Sequence, residues 1–199
     1  MKIKIPFREL ILSILSVKNQ LYNKFKDDEE YRLIVNYLMT EDFYGDEDLK
    51  LPTAKSIEEA TGLNNYQVRK RLKNLYESIF QEEDKIVLDF TEIEYHFFVK
   101  YFNKAQVFKV KNLKHLPRVG ENLDLPFLRG KFKTDFYYVD SIRHEFYEKK
   151  QIIYLHVSAG FFNPYWNIRK AEAEMKGEFS FNDKLDLSEF ELKRKLGLR

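Results

Sequence analysis

Amide and cationic side chains are concentrated in one short segment, residues 64–76. It contains four Lys or Arg residues and no Asp or Glu, and it begins with two Asn residues. Amides and guanidinium groups can form paired hydrogen bonds with base edges, whereas ammonium groups more often meet phosphates. Exposed helices usually mix charges of both signs, so a stretch of one sign indicates a polyanionic partner.

A helix through this segment would separate apolar from polar side chains. The apolar positions recur at intervals of four, three and four, which predicts one buried stripe: Val68, Leu72, Leu75 and Ile79. The helical period then turns a second set outward: Tyr66, Lys70, Lys73 and Asn74. Gln67 and Arg69 lie at the sides, and Arg71 lies near the boundary. Asn64 or Asn65 can cap the start of the helix.

Two further helices are predicted before this one. Thr53 or Ser56 can cap a short helix that reaches Thr61, and Gly62 suits a left-handed helix end. The other helix is predicted before the loop at residues 43–52, from an apolar stripe with helical spacing: Tyr31, Ile34, Val35 and Leu38. The acidic run at residues 27–30 precedes this stripe and suits the positive end of a helix dipole.

Residues 53–80, TAKSIEEATGLNNYQVRKRLKNLYESIF, resemble the helix-turn-helix core of winged-helix regulators. The apolar and turn residues stand at the family's positions: Ile57, Gly62, Leu63, Val68, Leu72 and Leu75. With the preceding helix and a short strand predicted at residues 86–90, the resemblance covers residues 30–90. It departs at Glu58, where many members have Ala. The resemblance implies that the second helix enters the major groove of duplex DNA.

By this analogy we assign DNA contacts to eleven residues. Base-facing roles go to Asn65, Tyr66, Gln67 and Lys70. Phosphate contacts go to Thr53, Lys55, Ser56, Arg71 and Lys73. Asn64 and Arg69 complete the predicted DNA-binding set. The acidic turn at residues 81–84, where the family has its wing, is poor for a phosphate contact and receives no role.

Motifs for catalysis and metal binding are missing from the sequence. The chain has no Cys, and its four His residues form no pair with an intervening Glu: His96, His115, His144 and His156. There is no P-loop, GxSxG or GxGxxG pattern. We therefore expect no enzyme, no metal site and no cofactor. Because His144 would share a strand face with Ile142 and Phe146, we expect a core histidine there.

Charge is segregated along the chain although the formal net charge is only +2. Residues 26–48 contain nine acidic and two basic residues, a net charge of −7. Residues 100–133 contain nine basic and two acidic residues, a net charge of +7. This asymmetry can steer a polyanion toward one face, or the two segments can neutralise each other in the fold.

The second half of the chain changes to strand-like alternation. Strands are predicted at residues 93–102, 105–113, 136–147 and 152–157, with turns at 103–104 and 148–151. Helices are predicted at 169–176 and, in the tail, at 187–196. The fold class is therefore α+β: a helical winged helix-turn-helix module over residues 1–90, then a mainly antiparallel β domain over residues 91–199, a small barrel or curved sheet.

Two other segments have patterns with alternative meanings. Residues 6–25 predict one amphipathic helix, for which packing within the chain is favoured over a dimer seam because Lys18 interrupts the seam. Residues 160–166 contain four aromatics: Phe161, Phe162, Tyr165 and Trp166. We expect these rings to pack into the end of the β core, because large aromatic side chains dominate cores. The alternatives are that they stack on unpaired bases or that they anchor a partner protein.

The predicted function is sequence-selective binding of double-stranded DNA by a cytoplasmic transcriptional or mobile-element regulator. A homodimer is expected by analogy, and the β domain is a candidate surface for a protein partner. The apolar run at residues 10–17 is too short for a membrane span, and no signal-peptide cleavage pattern follows.

Two alternatives remain from the sequence. In one, the chain is an interaction or assembly protein whose helix-turn-helix docks protein, with Arg69, Lys70 and Lys73 contacting acidic side chains such as those at residues 27–48. In the other, the basic β segment binds RNA through Lys109 and Lys111.

Overall fold

The computed structural model describes residues 5–80, 87–102, 104–180, 182–183 and 187–198. These residues form eight α-helices, one short 3-10 helix and five strands, so the fold class is α+β. The chain divides into two compact units. Unit 1 comprises Met1–Glu92 with Phe146–Gln151, and unit 2 comprises Ile93–Glu145 with Ile152–Arg199.

Unit 1 is built from helices. They are α1 (Phe7–Leu15), α2 (Lys18–Phe25), α3 (Arg32–Leu38), α4 (Ala54–Thr61) and α5 (Asn65–Glu77). The single helix predicted over residues 6–25 is wrong, because Val17 leaves the helical region with φ −132° and ψ 24°. The break has a packing reason: it allows both halves to bury apolar side chains, such as Ile14 and Leu21, in one core.

That core fixes the orientation of α5. Helix α5 packs against α1 and α4. Of the predicted stripe, Val68, Leu72 and Leu75 are fully buried, and Ile79 is partly buried against the same core. Each buried Leu or Val contributes about 2 kcal/mol of apolar burial, so the opposite side of α5 is held in a fixed direction.

The strands form one open sheet. They are β1 (Glu92–Tyr101), β2 (Lys104–Val110), β3 (Asn122–Asp124), β4 (Phe136–Tyr147) and β5 (Lys150–Ala159), in the order β2-β1-β5-β4-β3. The β1–β2 and β3–β4 pairs are antiparallel, and the two-residue turn between β4 and β5 makes that pair antiparallel too. Strands β2 and β3 form the two edges, so the sheet is not a barrel.

Strands β1 and β5 run parallel. Their ring contacts advance together along both strands, from His96 with Tyr154 to Phe98 with His156. The carboxyl ends of β1 and β5 therefore lie at the same end of the sheet. The mainly antiparallel sheet that the sequence predicts thus contains one parallel pair.

Short helices complete unit 2. The 3-10 helix Pro126–Leu128 and α6 (Arg129–Phe132) place Leu128 and Phe132 in the core on one face of the sheet. Helices α7 (Pro164–Met175) and α8 (Glu189–Lys195) bury a smaller separate cluster: Trp166, Ala173, Phe179 and Leu192. Helix α7 begins five residues earlier than predicted, because the Asn163 side chain accepts a hydrogen bond from the Trp166 N–H at 3.1 Å.

The strand predicted after α5 is absent from residues 87–90, so that prediction is wrong there. Residue 86 and the predicted wing turn at 81–84 lie outside the described residues. The Asp89 N–H instead donates to Gln20 Oε1 at 2.8 Å, and the Phe90 ring packs on Phe146 at 5.1 Å within unit 1. Side-chain contacts thus replace the strand pairing that a wing would need.

Two predictions for unit 2 side chains also fail, wholly or in part. His144 is exposed, because on β4 the core of unit 2 extends only as far as Ile142. The aromatic segment 160–166 is divided between the interior and the surface. Trp166 is buried and Phe162 packs on Tyr138, whereas the other two rings are exposed: Phe161 and Tyr165.

None of the helices within the described residues has the length and apolar character needed to cross a membrane.

Candidate nucleic-acid interface

Four of the eleven predicted site residues form helix caps. Thr53 Oγ1 accepts from the Ser56 N–H at 3.1 Å, and Ser56 Oγ accepts from the Thr53 N–H at 2.9 Å. Asn64 and Gln67 form the same reciprocal pair at the start of α5, with both distances 3.0 Å. Gly62, with φ +71°, has the predicted left-handed conformation at the end of α4. These side chains therefore fix where α4 and α5 begin, and the Gln67 carbonyl oxygen is already occupied.

Asn65 is held between two charged side chains. Its Nδ2 donates to Glu58 Oε1 at 2.5 Å, and its Oδ1 accepts from Arg69 Nε at 2.8 Å. The Arg69 guanidinium also lies 5.0 Å from the centre of the Phe7 ring. Glu58, the residue that departs from the helix-turn-helix family pattern, thus orients the amide. Sequence reasoning missed this role, because the seven-residue separation crosses the turn between the helices.

Tyr66, Lys70 and Lys73 form an exposed row on α5. Their spacing of four and three places them on one face. Tyr66 is 73% exposed, and Lys70 is exposed with no ion pair among the described residues. Lys73 pairs with Glu77 at 3.3 Å, with both side chains about half exposed. Such a pair contributes only about 0.2–0.5 kcal/mol, so a phosphate can replace Glu77 at small cost. We name these three residues the α5 row.

Two other cations of the predicted site, Lys55 and Arg71, are less available to DNA because each has an acidic neighbour. Lys55 is highly exposed and lies 3.7 Å from Glu59. Arg71 is only 19% exposed and lies 4.0 Å from Glu30. Asn74, predicted to face outward, is partly buried and donates to the Tyr31 hydroxyl at 3.3 Å. The outward face of α5 is therefore narrower than the helical period predicts, because Glu30 and Tyr31, which precede α3, cover one side of it.

The acidic segment 26–48 has other partners than the α5 row. Asp42 lies 3.4 Å from Lys18 Nζ and accepts from the Tyr147 hydroxyl at 2.9 Å, a contact within unit 1. The hydrogen bond between Asp42 and Tyr147 shifts the two pKa values in opposite directions. Burial, together with this bond, raises the pKa of Tyr147. Burial of Asp42 opposes its ionisation, but the hydrogen bonds from Tyr147 and from the Gly45 N–H outweigh burial and lower the pKa of Asp42.

The docking alternative predicts that three cations of α5 contact acidic side chains, of which those of this segment are one possibility: Arg69, Lys70 and Lys73. Within the part of the chain that the structure describes, none of the three pairs with an acid of residues 26–48. Of the α5 cations, Arg71 is the one that pairs with an acid of that segment among the described residues, through Glu30. The positive charge of the α5 row is therefore not neutralised by the acidic segment.

Unit 2 has a second candidate surface on the sheet face opposite its core. There the Phe98 ring stacks on His156 at 5.3 Å and contacts Tyr154 at 5.7 Å. Lys109 pairs in register with His96 on this face and lies 3.5 Å from Glu94. Sequence reasoning singled out Lys109 but missed the rings, although their alternation along residues 96–98 and 154–156 was the available signal.

The described residues contain no group of three His, Asp or Glu side chains that could hold a metal ion. Comparison of the chain with protein-family models, with curated proteins and with solved structures finds no match. The case for a function therefore depends on the geometry of the chain itself and on the resemblance carried by residues 53–80.

Proposed function

We propose that unit 1 binds double-stranded DNA in a sequence-selective way through the outward face of α5, and that the protein is a transcriptional or mobile-element regulator. The observation that supports this most is the α5 row. It combines an exposed aromatic and two exposed cations on a helix whose opposite side is fully buried. A cationic helix face of fixed direction matches the electrostatic and steric demands of the major groove.

The contacts divide by chemistry. Lys73 and Lys55, near the sides of the α4–α5 surface, bind phosphates and set the register of the helix on the duplex. Tyr66 and Lys70 face the bases, with Asn65 held beside them by Glu58. The carboxylate of Glu58 also makes the start of α5 selective, because a phosphate placed next to it would be repelled.

Selection of duplexes from fragmented genomic DNA tests this proposal. The test variant replaces the whole α5 row by alanine, and a control variant replaces three exposed lysines of unit 2: Lys104, Lys111 and Lys114. Circular dichroism first confirms that both variants are folded. We expect the wild type and the control to enrich one common site and the α5 variant to lose it.

Two results would overturn duplex binding: no enrichment by the wild type at moderate salt, or undiminished enrichment by the α5 variant. The first would favour the docking alternative, in which the helical unit binds protein. A dimer would appear as a palindromic site with half-sites about 10 base pairs apart, whereas a single unrepeated site would contradict it.

Binding of single-stranded RNA by unit 2 is the second candidate function. It is favoured by the aromatic rings of the sheet face beside Lys109, because bases stack on such rings. Affinity for a labelled oligouridine should fall in a Lys109→Ala, Lys111→Ala variant and stay unchanged when Lys70 and Lys73 are replaced. The opposite pattern, or no binding by the wild type, would reject it.

A further inference from the structure

Unit 2 contains a cleft of about 650 Å³ at the carboxyl ends of the parallel strands β1 and β5. Lys100 and Phe102 line it at the end of β1, and Ser158 lines it at the end of β5. Helices α7 and α8 form the opposite wall. The volume falls in the range of pockets that enclose small organic ligands, about 300–1,000 Å³.

The charged lining of the cleft is mostly paired. Lys170 lies 2.9 Å from Glu189 and 4.0 Å from Asp140, so both acids of the lining share this one cation. Glu189 also accepts a hydrogen bond from the indole N–H of Trp166. Because these contacts engage both carboxylates, the lining offers little to attract a cationic ligand.

Two further lysines line the cleft. Lys193 lies with its Nζ 5.3 Å from the centre of the Trp166 ring, and Lys100 is on the exposed end of β1. Together with Lys170 these two lysines give three positive charges against the two negative charges of Asp140 and Glu189, so the described residues of the lining have a net charge of +1. The electrostatics therefore favour an anion.

Apolar surface adjoins this charge. The Phe102 side chain is 54% exposed and Phe190 is 66% exposed, and both line the cleft. An exposed aromatic ring gains free energy when a ligand covers it. The cleft thus combines a cationic group with apolar walls, which suits a ligand that joins an anionic group to an apolar body.

We propose that this cleft binds a small organic carboxylate with an aromatic or aliphatic body. The carboxylate lies at Lys193, and the apolar body lies between Phe102 and Phe190. The site belongs to unit 2 alone and does not depend on DNA binding, so either proposal can fail without the other.

Trp166 provides a direct reporter, since it is the single Trp of the chain and contacts Lys193. The probes are four carboxylates: benzoate, phenylacetate, 4-phenylbutyrate and octanoate. Their controls are amines of matched shape: benzylamine, phenethylamine, 4-phenylbutylamine and octylamine. We expect at least one carboxylate to change Trp166 emission saturably and its matched amine to leave it unchanged. Isothermal titration calorimetry checks that the emission change reports binding.

Matched variants locate the bound carboxylate. Lys193→Gln should weaken binding about tenfold, the effect of losing one charged hydrogen bond. Lys195→Gln is the control, because Lys195 is on the same helix but pairs with Asp183 at 2.7 Å outside the cleft. If Lys193→Gln alters the fold, Lys100→Gln on β1 replaces it and should also weaken binding.

The proposal is overturned if no carboxylate of the panel binds by either readout. Equal binding of the matched amines would also overturn it, because the site would then not select an anion. Equal weakening by Lys193→Gln and Lys195→Gln would show a general charge effect and would likewise reject the cleft as the site.

Discussion

Helices α5 and α7 are similar in length but use their cations differently. Helix α5 has 13 residues and α7 has 12. In α7, Arg169 lies 2.5 Å from Glu178 and Lys170 lies 2.9 Å from Glu189, so both cations are engaged within unit 2. In α5, Lys70 has no ion pair among the described residues. The positive charge of α7 is neutralised internally, whereas Lys70 of α5 is presented to the solvent.

This difference teaches that the number of cations in a helix does not predict an interface. Arg169 and Lys170 resemble Arg69 and Lys70 as sequence, an adjacent Arg-Lys pair in an amphipathic helix. What separates the two pairs is the position of acids elsewhere in the chain. Cations with near partners contribute to stability, and cations without them are available to a ligand.

Lys18 is the extreme case of an engaged cation, and its replacement should have the largest effect. Only 7% exposed, it lies 3.4 Å from Asp42 and 3.8 Å from Glu148, and it donates to the Glu41 carbonyl at 2.9 Å. Lys18→Ala should lower the free energy of unfolding by about 3 kcal/mol, because it removes the buried cation that pairs with both carboxylates. Urea unfolding followed by circular dichroism measures this, with exposed Lys26→Ala as the control.

The same variant has a predicted pH dependence. Burial raises the pKa of Glu148, so in the folded state this carboxyl takes up a proton more readily than in the unfolded chain. The loss of unfolding free energy caused by Lys18→Ala should therefore be largest at neutral pH and should shrink as the pH falls and Glu148 takes up its proton. A deficit independent of pH would mean that lost packing, and not lost charge, destabilises the variant.

Asn64→Ala should have an intermediate effect. It removes the side chain that caps α5 and should cost about 1 kcal/mol of stability. DNA affinity, measured where the variant is fully folded, should fall much less than in a Lys70→Ala, Lys73→Ala variant. An equal loss of affinity would show that Asn64 contacts DNA in addition to capping α5.

Replacement of one surface cation on α7 or on α5 should have the smallest effect on stability. Arg169→Ala should lower the unfolding midpoint slightly, because it breaks the contact with Glu178, whereas Lys70→Ala should leave the midpoint unchanged. Paired thermal unfolding curves measure the difference. A similar fall in the unfolding midpoint of both variants would contradict the distinction between cations that have an ion pair and cations that do not.

The sequence predicted the α5 helix, its buried stripe and the turn at Gly62, because periodicity and capping are local properties. It also gave the α+β class. It did not predict the helix break at Val17 or the missing strand at residues 87–90, because both depend on tertiary contacts, such as Gln20 with the Asp89 backbone. Periodicity describes one helix and cannot show which neighbouring elements cover it.

The candidate site, like the fold, was predictable from the sequence only in its local features. The helical period correctly predicted that the side chains of Tyr66, Lys70 and Lys73 point outward from α5. The pairing of Asn65 with Glu58 and of Arg71 with Glu30 did not, because both contacts join different parts of the chain. The cleft of unit 2 had no sequence signal, since β1, β5, α7 and α8 supply its lining over a separation of about 90 residues.

The salt dependence of duplex binding tests the α5 interface most directly. Fluorescence anisotropy gives the slope of log affinity against log salt for the wild type, for Lys70→Ala, Lys73→Ala, and for the unit 2 control Lys111→Ala, Lys114→Ala. Each lost phosphate contact reduces the slope by about 0.9, so the α5 variant should lose about 0.9 through Lys73, which binds phosphate, and the control should lose nothing. An unchanged slope for the α5 variant, or a reduced slope for the control alone, would contradict DNA binding through α5.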